Sequence, residues 1–276
     1  MPFRSARLAL PPTLLLLVAC VAADPAPDRS ALDAVVFMRT AAERDALCLQ
    51  AFAAARAALE RALADPSWTA CLEQACDFAH KPPAIIADVD DTLLDTSTFE
   101  TRALFEGYAF DDASFASWAE AADAPALPGA AEFLCAAAAR GVTVFYVTGR
   151  GPESREATRR NLQRHGFPLA AGRETVLTRE DDSGKGARRA AVAEDFRVLL
   201  LLGDNAADFG SGFAGKDLAA RRAAAREAAG FWGERWIVLP NAAYGDWQRA
   251  ALGWRDVPPE QRPEAKLEAL RGTLGG

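Results

Sequence analysis

Histidine is nearly missing from this chain: there are two, His80 and His165. A metal centre built on several imidazoles has too few ligands here. A basic surplus is missing as well. The 31 lysines and arginines are outnumbered by 38 aspartates and glutamates, giving a formal net charge of -7. Sequence-independent binding of a nucleic-acid polymer needs a basic face, and this balance argues against one. A small anionic ligand is still admissible, because a bound metal ion outweighs distant surface charge. The apolar run at residues 8–19 is too short to span a bilayer. Proline and glycine are missing from residues 31–64, where alanine, leucine, arginine and glutamate dominate. That stretch reads as an N-terminal helix.

What is present is apolar material for a core: half of the 276 residues are hydrophobic, enough for one large α/β domain or a core with a small cap. The chain is organised around Ala84, Ile85, Ile86 and Ala87, which run into Asp88, Val89, Asp90, Asp91 and Thr92. The β-branched run follows Pro82 and Pro83 and is apolar on both faces, so it reads as a central parallel strand. The carboxylates fall just past its C-terminal end, where open α/β sheets place their sites. Carboxylates crowded there repel one another unless a cation intervenes, which asks for a hard divalent ion, most simply Mg2+.

The pattern recurs. Residues 142–147, 198–202 and 236–239 are apolar strands followed by Thr148 to Gly151, by Gly203 to Asp208, and by Pro240 with Asn241. Helical stretches alternate with them, which predicts a doubly wound parallel sheet in the α/β class. Residues 81–255 form this core. Residues 96–128 contain no clear strand and carry Phe99, Phe105, Tyr108, Phe110, Phe115 and Trp118, so they read as a small helical insert over the strand ends. Residues 67–81 are a connector with Cys71 and Cys76, a pair favoured here as a disulfide among three possible pairings. Cys48 and Cys135 fall in helices and read as buried thiols. Residues 31–80 thus form a helical segment with its connector, and residues 256–276 a tail or helix.

At the other end, Arg4 and Arg7 precede the apolar run and Cys20 follows it, the layout of a signal peptide. Leu17, Val18, Ala19 and Cys20 resemble a bacterial lipobox, whose cysteine is lipidated and becomes the first residue. Residues 1–19 are then the signal and 20–30 a tether to an outer-membrane or periplasmic face. The rival is ordinary cleavage after Ala23.

The assembled polar residues are Asp88 and Asp90 from the first strand, Thr148 from the second, Asp204 and Asp208 from the third, and Lys185 at a helix start. Phosphoryl transfer needs a nucleophile, a metal, groups that hold phosphate oxygens, and an acid for the leaving group. The order and spacing resemble the haloacid dehalogenase superfamily. Asp88, Asp90, Asp204 and Asp208 are similar to the four aspartates of its class C nonspecific acid phosphatases, bacterial lipoproteins of the 5′-nucleotidase type. Similar stretches lie at residues 41–51, 128–130, 144–150, 203–210 and 239–245. The chain departs from the pattern in the insertion at 67–81 and at Gly149, which replaces a more polar residue.

The resemblance implies a Mg2+-dependent hydrolase of small phosphomonoesters, nucleoside 5′-monophosphates among them. Asp88 would attack phosphorus. Asp90, its side chain free to hold a proton, would serve the leaving group and then water. Asp88, Asp204 and the backbone carbonyl of Asp90 would hold the metal, with Asp208 orienting that shell. Thr148 and Lys185 would hold phosphate, and Phe99, Trp118 and Tyr244 would clamp a base. The plainer alternatives are a solvated lysine at Lys185, a helix cap at Asp208, a turn residue at Thr148 and core packing for the aromatics. A phosphotransferase or sugar-phosphate phosphatase on the same core, and a surface lipoprotein that binds without catalysis, are the competing functions. Arg164, His165 and Gly166 resemble the nucleophile motif of the histidine acid phosphatases, but they sit where a helix ends. The glycines at 210–215 nearly spell a phosphate-binding loop, but Asp217 stands where Ser or Thr is needed.

Overall fold

The computed structural model describes residues 30–107, 110–180 and 184–274. The expected signal peptide, Cys20, Tyr108 and residues 181–183 lie outside the described residues. In chain order the elements are α1 (Leu32–Thr40), α2 (Ala42–Ala64), β1 (Pro83–Ala87), α3 (Ser97–Glu106), α4 (Asp112–Ala119), α5 (Ala130–Ala138), β2 (Thr143–Val147), α6 (Arg155–Arg164), β3 (Val176–Leu177), α7 (Gly186–Asp195), β4 (Arg197–Gly203), α8 (Leu218–Glu227), β5 (Trp236–Val238), α9 (Asp246–Ala251) and α10 (Arg262–Arg271).

The strands form one parallel sheet in the order β3-β2-β1-β4-β5. The strand bearing the aspartates is central, as its apolar faces predict. Ile85 and Ala87 point to one side, with Val144, Tyr146 and Leu202, and bury the faces of α2 and α5 through Phe52, Phe133 and Leu134. Ala84 and Ile86 point to the other, with Phe145, Val147 and Leu201, against Val192 and Ala193 of α7. Helices therefore cover both faces, the doubly wound α/β arrangement of the haloacid dehalogenase type.

Four local expectations are corrected. Residues 31–64 are two helices, because Ala41 is extended (ψ 121). The break turns α1 away from α2, so that Val35 and Met38 pack on Ala243 beyond β5; tertiary packing overrides the helical propensity of the run. A fifth strand, β3, is too short to show alternation. The disulfide does not form. Cys71 is buried, with Sγ 3.2 Å from Glu73 Oε2, while Cys76 is exposed; all four described cysteines are free thiols. Cys135 is exposed as well, not buried.

The connector has a structural role of its own. β4 skips one residue against β1, since Ala84 pairs with Val198 and Ile85 with Leu200. The skipped Leu199 offers its carbonyl to Trp68 Nε1 at 2.9 Å, and the Ala70 N–H donates to Val198 O at 2.8 Å. The connector thereby satisfies backbone groups that the short β5 leaves uncovered.

Candidate active site

The Asp88 N–H donates to Leu202 O at 2.9 Å, continuing the ladder one residue beyond β1. The chain then folds back sharply. Leu93 and Leu94 both donate to Val89 O, and Asp91 takes a left-handed conformation (φ 52). That conformation is unfavourable without compensation. Asp91 is fully buried, 2.8 Å from Arg44 Nη2 and bonded to Thr96 Oγ1. Arg44 also donates to Met38 O at 2.7 Å and meets Asp95 at 3.1 Å. The N-terminal helices thus hold the loop that presents Asp88.

At the end of β4, Gly203 allows a close approach: a Cβ there would stand 2.5 Å from Asp208 Oδ2. Asp208 accepts the Asn205 N–H at 3.0 Å across a 3-10 turn, Ala206–Asp208. It is therefore a cap, and its carboxylate also reaches the site. Asp88, Asp204 and Asp208 each offer an oxygen, and these oxygens lie within 4.8 Å of one another. Asn241 Nδ2, from the loop after β5, holds Asp204 Oδ2 at 2.8 Å. Thr92 Oγ1 donates to Asp88 Oδ2 at 3.2 Å. Lys185 Nζ pairs with Asp88 and, at 2.6 Å, with Asp208.

The electrostatics follow from burial. Burial, then the charges of Asp88 and Asp208, raise Asp204 well above the usual carboxylate range. Burial also raises Asp88, with Lys185 opposing it. Burial alone would lower the Lys185 ammonium, but Asp208 and Asp88 hold it above its ordinary value. Two buried acids, Asp88 and Asp208, share one lysine, with the part-buried Asp204 beside them, so the cluster is short of positive charge. Its donors are hard carboxylate oxygens, which fit Mg2+.

Asp90 is placed differently. Its carboxylate leaves the cluster and meets Arg150, with Nη2 at 2.7 Å and Nε at 3.1 Å from both oxygens. Sequence reading expected this side chain to be free to hold a proton; the structure pairs it with Arg150. Arg150 is 4% exposed, donates to Thr158 Oγ1 at 3.0 Å and lies over the Phe115 ring at 5.5 Å. Sequence reading passed over Arg150; its position at a strand end beside Thr148 was the available signal. Thr148 is fully buried, and its Oγ1 accepts the Arg150 N–H at 3.1 Å.

A cavity of about 1120 Å3 opens above these groups, with Asp88, Asp90, Arg150, Lys185, Asp204 and Asp208 among its lining. α3, α4 and the loop between them wall it with Glu100, Phe115 and Phe110, and Tyr244 lines it from the core. Phe99 and Trp118 are not in that lining. Phe99 is 1% exposed and packs on Phe115 and Trp118 with centroids at 5.1 and 5.8 Å. Trp118 packs against the core. Of the expected clamp, only Tyr244 faces the cavity; the insert contributes Phe110 and Phe115 instead.

Residues 28–247 match the family model described as HAD superfamily, subfamily IIIB (Acid phosphatase). The chain belongs to this family. The family assignment drawn from the aspartate motifs is upheld by it. This subfamily IIIB chain is 34% identical over 130 residues to Acid phosphatase 1 of Solanum lycopersicum, a match covering 45% of this chain and 50% of that protein. The chain therefore spans about half the length of this curated relative. It is also similar to the class C acid phosphatase of Bacillus anthracis, in a structure with tungstate bound (TM-score 0.77) and in a second structure (TM-score 0.78). In both, identity is 30%, with 86% of this chain and 95% of the other covered.

Proposed function

We propose that the protein is a Mg2+-dependent phosphatase that hydrolyses small phosphomonoesters, nucleoside 5′-monophosphates among them, by way of an aspartyl-phosphate on Asp88. The observation that carries this is the convergence of Asp88, Asp204 and Asp208 on one point beside Lys185. The tungstate in the Bacillus anthracis relative is a tetrahedral oxyanion, in keeping with phosphate in such a site.

Asp88 and Asp204 would hold the metal with the Asp90 carbonyl, and Asp208 would join or orient that set. The ion would neutralise phosphate charge. Asp88 attacks phosphorus. Lys185 supplies a cation for the phosphoryl oxygens, and the buried Thr148 shapes the turn before Arg150. Asp90 gives its proton to the leaving alkoxide and later takes one from water. Because the Arg150 guanidinium engages both Asp90 oxygens, Asp90 acts as proton donor only when one of them leaves it. Tyr244, opposite Phe110 and Phe115, is the surface on which a base stacks, an interaction worth roughly 1–3 kcal/mol by alanine substitution elsewhere.

Phosphate release from a panel of monoesters, with Mg2+ and with chelator, tests the reading. Turnover should need the metal and vanish in a folded Asp88→Asn protein. Release that survives chelation, or substantial turnover by that variant, would sink it. The chain is also proposed to be exported and lipid-anchored through Cys20. Mass spectrometry of the mature N-terminus should find a lipidated Cys20; a lipid-free chain starting at Asp24 would refute this.

A further inference from the structure

Glu100 is an unexplained polar group of the cavity wall. On α3, Glu100, Ala103, Leu104 and Gly107 line it, the spacing of one helix face. Three of those four positions are small or apolar. Glu100 is part-buried, and among the described residues no hydrogen bond or ion pair satisfies its carboxyl. Its oxygens are not sealed from solvent, so they keep their hydrogen-bonding capacity for whatever enters the cavity. Nothing in the catalytic scheme uses it, because it belongs to neither the aspartate cluster nor the Arg150–Asp90 pair.

We infer that Glu100 is a hydroxyl-reading subsite for the leaving group, selecting phosphomonoesters of polyols such as a ribose or a sugar. This rests on the phosphatase reading above. Two features favour hydroxyls over a cationic group. First, the carboxyl is pushed up to about 7, by burial and then by the neighbouring Asp91. Below that pH it is largely neutral, with one O–H to donate and oxygens to accept, which matches a hydroxyl and gives an ammonium no counter-charge. Secondly, a neutral acid does not repel the phosphate dianion that must pass it. A ribonucleotide and a sugar phosphate present the same chemistry here, vicinal hydroxyls a short reach from the ester oxygen.

The test is steady-state kinetics of wild type, Glu100→Ala and Glu100→Gln with Mg2+. The substrates are 5′-AMP, 2′,3′-dideoxy-5′-AMP, glucose 6-phosphate, phosphoethanolamine and p-nitrophenyl phosphate. Glu100→Ala should raise KM about tenfold for the hydroxyl-bearing esters, the order expected for the net loss of one hydrogen bond. Dideoxy-AMP and p-nitrophenyl phosphate should stay within about twofold, with kcat little changed. Glu100→Gln, which keeps an acceptor and a donor, should restore part of the discrimination. A loss for 5′-AMP alone assigns the subsite to ribose, and a loss for glucose 6-phosphate alone assigns it to sugars. Equal effects on all substrates, no effect on any, or a loss greatest for phosphoethanolamine would overturn the inference. Wild-type protein that releases no phosphate even from p-nitrophenyl phosphate would overturn the phosphatase reading, and this one with it.

Discussion

Asp90 and Arg150 show how one side chain sets the use of another. Arg150 is itself fixed, by Thr158 on α6 and by Phe115 on the insert. Its contacts with Asp90 thus tie the proposed proton-transfer group to two elements that border the cavity. Arg150→Met keeps an unbranched apolar stem but removes all of these side-chain hydrogen bonds. Since a misplacement of about 1 Å can cost about a hundredfold in rate, kcat should fall by about ten- to a hundredfold with the far-UV spectrum unchanged. A variant with near wild-type kcat would show that Asp90 needs no such support. At this scale the aspartates were legible because several carboxylates at one strand end have few innocent explanations. Arg150 was not, because its importance comes from a partner 60 positions away. Phe99 and Trp118 misled for a related reason: composition marks an aromatic insert but does not say which rings turn inward to its own packing.

Among the elements, the legible ones were those whose two faces are buried, since they give uninterrupted apolar runs. β3 has two residues and no pattern to show, and the break at Ala41 is made by distant contacts of Val35 and Met38. That break has an energetic consequence through Arg44, which sits in the first turn of α2 and reaches both Met38 O and Asp91. Burial pushes Asp91 up to about 6, while Arg44 opposes the shift. The folded value lies above the usual 3.8, so Asp91 lowers stability as pH rises through that window, and Arg44 offsets part of the loss. Above about 6 the buried pair is ionised. Removing one partner of such a pair typically costs about 3–5 kcal/mol. Arg44→Met should therefore unfold at a much lower denaturant concentration at pH 8, and the deficit should shrink at pH 5, where Asp91 takes up a proton. Equal deficits at both pH values would mean that Arg44 acts through packing alone.

For the molecule as a whole, the cluster of buried acids couples stability to metal and to pH. Asp88 and Asp204 have folded values raised above 3.8, and Glu100 is raised from 4.5 to about 7. In each case the folded state binds more protons than the unfolded chain, so the contribution of these groups to the stability of the metal-free protein falls as pH rises above about 4. Lys185 does not counter this trend, because a raised lysine contributes its full stability everywhere below its unfolded value of 10.5. A divalent ion acts in the opposite direction. Held as proposed, it would bind the folded cluster and not the unfolded chain, contributing about 2.7 kcal/mol at a hundredfold excess over Kd. It also binds more tightly as the carboxylates lose protons. Thermal unfolding with chelator should therefore give a Tm that declines from pH 4 to pH 8, and with Mg2+ one that declines less. The gap between the two curves should widen steadily with pH. Asp204→Asn should narrow it from both sides, raising Tm in chelator by removing the most strongly crowded charge and reducing the gain from Mg2+. A gap that is constant with pH, or unchanged in Asp204→Asn, would place the stabilising ion away from Asp88, Asp204 and Asp208.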